Sequence, residues 1–185
     1  DLRILFTPGS YKDGRVYVLD DYPGMTCGAA QPRPESAGYV RARSRDPLEP
    51  PRVQPNYLAA EADQRITLAG LRLARALLNS PELAPFFEIE TLPGAEVQRD
   101  DELLDFARRR GNTGYHLVGS CRMGPASDRR AVVDDELRVH GMQGLRVIDA
   151  SIMPMLPSAN TFASTIAIAE KGADLIRGRA ADVAA

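Results

Sequence analysis

Apolar and polar positions along the chain change their spacing three times. Near the N-terminus the runs are short. LRIL at 2–5, RVYVL at 15–19 and GYVRARS at 38–44 carry β-branched or alternating residues between Gly and Pro, and each predicts a strand. In the third run Val40 and Ala42 share one face, and Tyr39, Arg41 and Arg43 share the other. The run DPLEPPRVQPNY at 46–57 holds four prolines and predicts an extended connector, because proline fixes φ and lacks an N–H to donate.

Helical spacing begins after the connector. Over 61–79, Ile66, Ala69, Leu73 and Leu77 recur on one face, widened by Leu68 and Leu71, and Ser80-Pro81 stops the pattern. A second helix is marked by its ends. Asp100, Asp101 and Glu102 open it, Arg108, Arg109 and Arg110 close it, and Gly111 follows, which is the charge order a helix dipole favours.

The last third differs again. Residues 131–151 predict two short strands, 137–139 and 145–148, around a glycine-rich turn. SIMPMLPSAN, with two prolines, then leads into a long helix over 160–177. In that helix Phe162, Ile166, Ala169, Ala173 and Ile176 keep helical spacing, and Gly178 ends it.

Composition narrows the class. The chain has 185 residues, 44% of them hydrophobic, and a net charge of −2 with both signs mixed. It can therefore bury a core, and it lacks the basic footprint of a nucleic-acid binder. No apolar run approaches the roughly 20 residues that span a bilayer. The first residues lack the basic start and apolar stretch of a signal peptide, which predicts a cytoplasmic protein. Cys27 and Cys121 could form one disulfide, but two thiols in a domain of this size read as reduced. With His116 and His140 they show no paired spacing for zinc.

Three features carry candidate chemistry. The first backbone N–H groups of the last helix have no partner inside it. Either Asn160 or Thr161 caps them or they face an anionic group of a ligand. Asp149 ends the apolar run RVID and enters the turn Ala150-Ser151, so it caps that turn or binds a ligand hydroxyl. His116, among small and apolar neighbours, is a satisfied core histidine or faces a reacting group. His140, flanked by glycine in a polar stretch, reads as a turn residue. Ser120 and Ser151 do not sit in G-x-S-x-G, which argues against a hydrolase.

The segment TGYHLVGSCRMG, followed by AVVDDELRVHGMQGLRVIDASIMPMLPSANTFASTIAIAEKGADLIRG, resembles the C-terminal signature of the glucose–methanol–choline (GMC) flavin oxidoreductases. Upstream, RPESAGYVRARSRDPLEPPRVQPNYL resembles that family's approach to its substrate domain. Ser120 stands where Thr is common there, and Ala37 where Arg is common. The resemblance implies an α+β fold. Residues 1–112 would contribute an antiparallel substrate-domain sheet with helices on one face. Residues 113–185 would add the C-terminal strands and long helix that complete a Rossmann-like FAD domain.

It also implies roles. His116 is the base toward a substrate hydroxyl and Asn160 its partner, orienting that hydroxyl. Asp149 and Ala150 contact the ribityl–pyrophosphate part of FAD. Thr161 and Phe162 lie at the helix start beneath the flavin N1–C2=O edge. The implied reaction is hydride transfer from an alcohol to FAD. No metal is implied.

The family's G-x-G-x-x-G fingerprint is missing from this sequence, since Gly111, Gly114 and Gly119 have the wrong spacing. The implied partners are thus a small-molecule alcohol and an N-terminal FAD-binding half, in the same or a second chain. The chain alone would be inactive, with apolar surface left exposed or covered by self-association. The alternative is a non-catalytic scaffold or partner-binding domain derived from such an enzyme.

Overall fold

A computed structural model describes residues 2–12, 15 and 18–178. The fold is α+β. Strands β1 (Arg3–Thr7) and β2 (Thr26–Ala30) form one two-stranded sheet, and β3 (Tyr39–Arg41) and β4 (Arg52–Gln54) form another. The helices are α1 (Glu61–Leu78), α2 (Asp100–Arg110) and α3 (Phe162–Arg177). The chain divides into two compact units: Asp1–Gly38 with Val53–Thr113, and Tyr39–Arg52 with Gly114–Ala185.

In the first unit β1 and β2 are antiparallel, with Arg3 opposite Ala30 and Thr7 opposite Thr26. Helix α1 lies on β2, and α2 lies on α1. Gly70 permits that approach. A Cβ there would stand 2.6 Å from the Ala29 methyl and 2.9 Å from Leu2 Cδ1, so any side chain would push α1 off the strand. Leu68, Ala74 and Leu103 are buried within this unit. Full burial of a leucine such as Leu103 contributes about 1.5–3 kcal/mol.

Buried Asp63 ties the loop before the connector to the start of α1. Its two carboxylate oxygens accept the Glu35 N–H at 2.9 Å and the Ser36 N–H at 2.8 Å. The Ser36 hydroxyl in turn accepts the Ala60 N–H at 3.0 Å. Arg75 does similar work at the other end of α1. Its guanidinium forks onto Glu90 at 2.9 and 2.7 Å and donates to the Val97 carbonyl at 3.0 Å. Helix α2 opens with the Arg99 N–H donating to Glu102 at 3.1 Å, which satisfies one orphan donor of its first turn.

The second unit has a core of Val133, Leu137 and Ile152, with Met123, Val147, Ile148, Ile168 and Leu175 packed around it. The strands expected at 137–139 and 145–148 are reduced to isolated bridges, Val133 with Val139 and Arg138 with Arg146. The cause is local. Leu137 has φ +64°, and Gly141 and Gly144 have φ +75° and +70°, so the backbone leaves the extended region three times within eight residues. Helix α3 starts at Phe162 and ends at Gly178, whose φ of +66° is the left-handed cap the sequence predicts.

Other expectations shift by modest amounts. The strand expected at 15–19 lies partly outside the described residues; Leu19 bridges Tyr11. The proline-rich connector contributes the short strand β4. β2, TCGAA, shows no strand pattern of its own and is a strand only because β1 pairs with it.

The apolar faces hold the larger correction. On α1 the buried residues are Asp63, Leu68, Gly70 and Ala74, while Leu73 and Leu77 on the expected face remain 44% and 42% exposed. On α3 the covered side carries Ile168, Gly172 and Leu175, while Phe162, Ile166 and Ile176 are exposed. Within this chain, α1 and α3 each keep the apolar stripe most visible in the sequence largely uncovered.

Candidate active site at the start of the last helix

His116 precedes a tight backbone path. Tyr115 has φ +59° and Gly119 φ +85°, so the chain turns through the left-handed region on both sides of the histidine. For the non-glycine Tyr115 that costs about 1–2 kcal/mol. The loop is then held by two backbone hydrogen bonds, Cys121 N–H to Ser151 O at 3.0 Å and Met123 N–H to Ile152 O at 2.7 Å. These tie it to the turn that Asp149 opens.

Asp149 acts locally as a cap. Its Oδ1 accepts the Ser151 N–H at 2.7 Å and starts the short 3₁₀ turn Ala150–Ile152. That turn packs on α3. Ala150 is half-buried in it, and the Asp149 residue itself is exposed.

The His116 ring reaches α3. Its Nδ1 lies 3.0 Å from Thr161 Oγ1. Thr161 is only 8% exposed and is the N-cap residue of α3, yet its side chain makes no cap to the helix. Asn160 and Phe162 flank it, and Phe162 is 74% exposed. The structure thus brings His116 and Thr161 into direct contact. Asp149 and Ala150 belong to the adjoining turn, where Asp149 bonds to Ser151 rather than to the histidine. Thr161 as partner of the histidine is a link the sequence does not signal, because 45 residues separate the two.

Two surface depressions lie away from these residues. One is lined by Tyr39, Arg41, Ala42, Arg43 and Arg52, with the Arg41 guanidinium 4.7 Å from the Tyr39 ring centre. The other is lined by Leu92, Pro93, Phe106, Arg109 and Arg110. Cys27 and Cys121 are free thiols, and burial pushes the Cys27 thiol up from its ordinary value. Among the described residues no helix is long and apolar enough to cross a membrane, and no group of three or more His, Cys, Asp or Glu is placed to hold a metal.

The described geometry fits one part of a flavin. A helix start presents N–H groups and partial positive charge to an anionic edge, and the Thr161 side chain does not cap this one. A histidine ring and an exposed Asn160 stand beside that start. The glycine fingerprint that would cradle the pyrophosphate is absent from the sequence.

Comparison with known proteins places the chain in a family. A GMC oxidoreductase family profile matches residues 34–169, and the chain belongs to that family, corresponding to its C-terminal portion. A curated relative, oxygen-dependent choline dehydrogenase from Cronobacter sakazakii, is 46% identical over 156 residues, which is 84% of this chain and 28% of the relative. The chain therefore spans well under a third of that relative's length. Among solved structures, pyridoxine 4-oxidase from Mesorbium loti aligns with TM-score 0.74 at 33% identity, covering 85% of this chain and 30% of that one. A formate oxidase from Aspergillus oryzae, studied for the effect of a mutation on FAD modification, aligns with TM-score 0.74 at 30% identity, covering 84% of this chain and 27% of that one.

Proposed function

We propose that the chain is the C-terminal part of an FAD-dependent enzyme that oxidises a primary or secondary alcohol. Family membership supports the class of reaction, as do the relatives: a choline dehydrogenase, and a formate oxidase whose FAD is the subject of study. The observation that carries the reading at this chain's own residues is the His116 ring, seated 3.0 Å from Thr161 at the start of α3.

In this reading Thr161 and Phe162 at the start of α3 would hold the flavin end of FAD, and Asp149 and Ala150 would hold its ribityl–pyrophosphate portion. FAD, when bound, supplies the acceptor for the hydride lost from the carbinol carbon. His116 takes the hydroxyl proton on Nε2, the ring nitrogen that does not face Thr161. Asn160 orients the hydroxyl and hydrogen-bonds the developing alkoxide, a task its amide performs without titrating. The N-terminal groups of α3 favour negative charge next to them as it forms.

The remaining FAD contacts come from an N-terminal half carrying the glycine fingerprint, in the same or a second chain, so this chain alone does not turn over. The test is a flavin titration of the chain alone and mixed with such a half, followed by reduction with a panel of alcohols. FAD should bind tightly and be reduced only in the mixture, and His116→Ala should slow reduction by about 10²–10⁴-fold. Reduction at the unchanged rate by His116→Ala removes the base assignment. Failure of the two halves to bind FAD together favours a scaffold.

A further inference from the structure

We propose that Thr161 is the positioning residue for His116: its hydroxyl oxygen accepts the Nδ1–H and so leaves Nε2 as the unprotonated nitrogen of the neutral ring. The inference rests on the reading of His116 as a base acting through Nε2.

The hydroxyl of Thr161 is not committed to its own helix. A capping threonine has extended backbone and turns its oxygen back onto an N–H of the first turn. Thr161 instead has helical backbone, φ −75° and ψ −7°, makes no such bond, and stands 3.0 Å from His116 Nδ1. The residue has little freedom to do otherwise. Its carbonyl accepts both the Thr165 N–H at 2.8 Å and the Thr165 hydroxyl at 2.7 Å, and the side chain is almost fully covered. The ring is fixed from its own side by the left-handed Tyr115 and Gly119 and by the backbone bonds of Cys121 and Met123.

The partner at one imidazole nitrogen sets which nitrogen carries the hydrogen. A free neutral imidazole in water favours the hydrogen on Nε2, the form that leaves no lone pair there to take a proton. A base working from Nε2 needs the opposite tautomer, and an acceptor at Nδ1 provides it. Thr161 Oγ1 is the oxygen in that place.

The second histidine supplies an internal contrast. His140 Nε2 lies 3.0 Å from the Gly124 carbonyl oxygen, which can only accept, so His140 carries its hydrogen on Nε2. The two histidines of the chain, both in the second unit, are thus held in opposite tautomers.

The test is a long-range ¹H–¹⁵N correlation spectrum of the imidazoles in the 185-residue chain, well above the ordinary histidine pKa of about 6.5. His116 should show a pyrrole-type nitrogen at Nδ1 and a pyridine-type nitrogen at Nε2, and His140 the reverse. In Thr161→Val the His116 pattern should move toward the Nε2–H form while His140 stays as it was, reporting an intact unit. Thr161→Ser should restore the wild-type pattern. Thr161→Ala gives a second hydroxyl-free comparison should the valine disturb the His140 signals. A hydroxyl can also donate. A wild-type His116 with its hydrogen on Nε2, or a pattern indifferent to loss of the hydroxyl, overturns the proposal. That failure is distinct from failure of the base reading, which His116→Ala tests by flavin reduction.

Discussion

Gly172 is the point where α3 meets the core that Ile148 borders, and replacing it with alanine sets two terms of similar size against each other. Alanine is the better helix former by about 0.8–1.0 kcal/mol. The new methyl, however, has no room. It would collide with Ile148 Cγ2, with Cδ1 at 2.9 Å and Cγ1 at 3.1 Å. Cγ1 and Cγ2 branch from the same carbon, so rotating the isoleucine trades one clash for the other. Retreat is also blocked, because Ile148 packs against Val133, Leu137 and Ile152. Overpacking of this kind costs about 1–3 kcal/mol. With the closest contact this short the cost falls in the upper part of that range, so the expected net loss for Gly172→Ala is about 1–2 kcal/mol, read as a lowered urea midpoint at constant slope. Ile148→Val should not relieve it, since both γ carbons remain. Ile148→Ala removes all three clashing atoms, and the double variant should recover about 1 kcal/mol relative to the sum of the single losses. A Gly172→Ala chain as stable as the wild type, or more so, would refute the packing argument and leave helix propensity in charge.

Three further outcomes follow from named contacts. Burial alone would raise the Asp63 carboxyl, but hydrogen bonds from the Ser36 hydroxyl, the Glu35 and Ser36 amides and Gln31 outweigh it and hold the group below its ordinary value. Its stabilisation is therefore present above the unfolded value of about 3.9 and lost as pH falls through the lower folded value. Asp63→Ala should lose about 2–4 kcal/mol at neutral pH by stranding two amides, and its denaturation curve should approach the wild type's in acid. Arg75→Met leaves the sheltered Glu90 carboxylate unpaired and should cost about 3 kcal/mol, with faster amide exchange near Val97; Arg75→Lys should not restore the fork. Asp149→Ala should lose about 1 kcal/mol with its cap, whereas Asp149→Asn keeps an acceptor for Ser151 and should stay near wild type. If the carboxylate also faces FAD, Asp149→Asn should weaken flavin binding in the assembled enzyme without that loss of stability.

The candidate site was legible in pieces. The order of small, aromatic and polar residues around His116, Asp149 and Asn160 carried the family likeness, and the family match over 34–169 agrees with it. The contact between His116 and Thr161 was not legible. It depends on a loop bent through Tyr115 and Gly119 and on where the start of α3 sets the Thr161 hydroxyl. Neither event leaves a local pattern, because each is set by what the other segment offers.

The division between chain and fold is plainest in the helices. Charges, caps and stops placed α1, α2 and α3 within a residue or two of their observed ends, since those signals act through neighbours in the chain. The sequence by itself determined which apolar residues share a stripe, such as Ile66, Ala69, Leu73 and Leu77 on α1. Which stripe is covered was decided only in three dimensions. Gly70 lets α1 settle on Ala29 of β2, and Gly172 lets α3 settle against Ile148, so the sides without a Cβ face inward. The same holds for β2 and for residues 137–148. A strand exists where a partner's backbone meets its N–H and C=O groups, and β1 does this for TCGAA. The left-handed turns at Leu137, Gly141 and Gly144 prevent it for segments whose composition is better suited to a sheet.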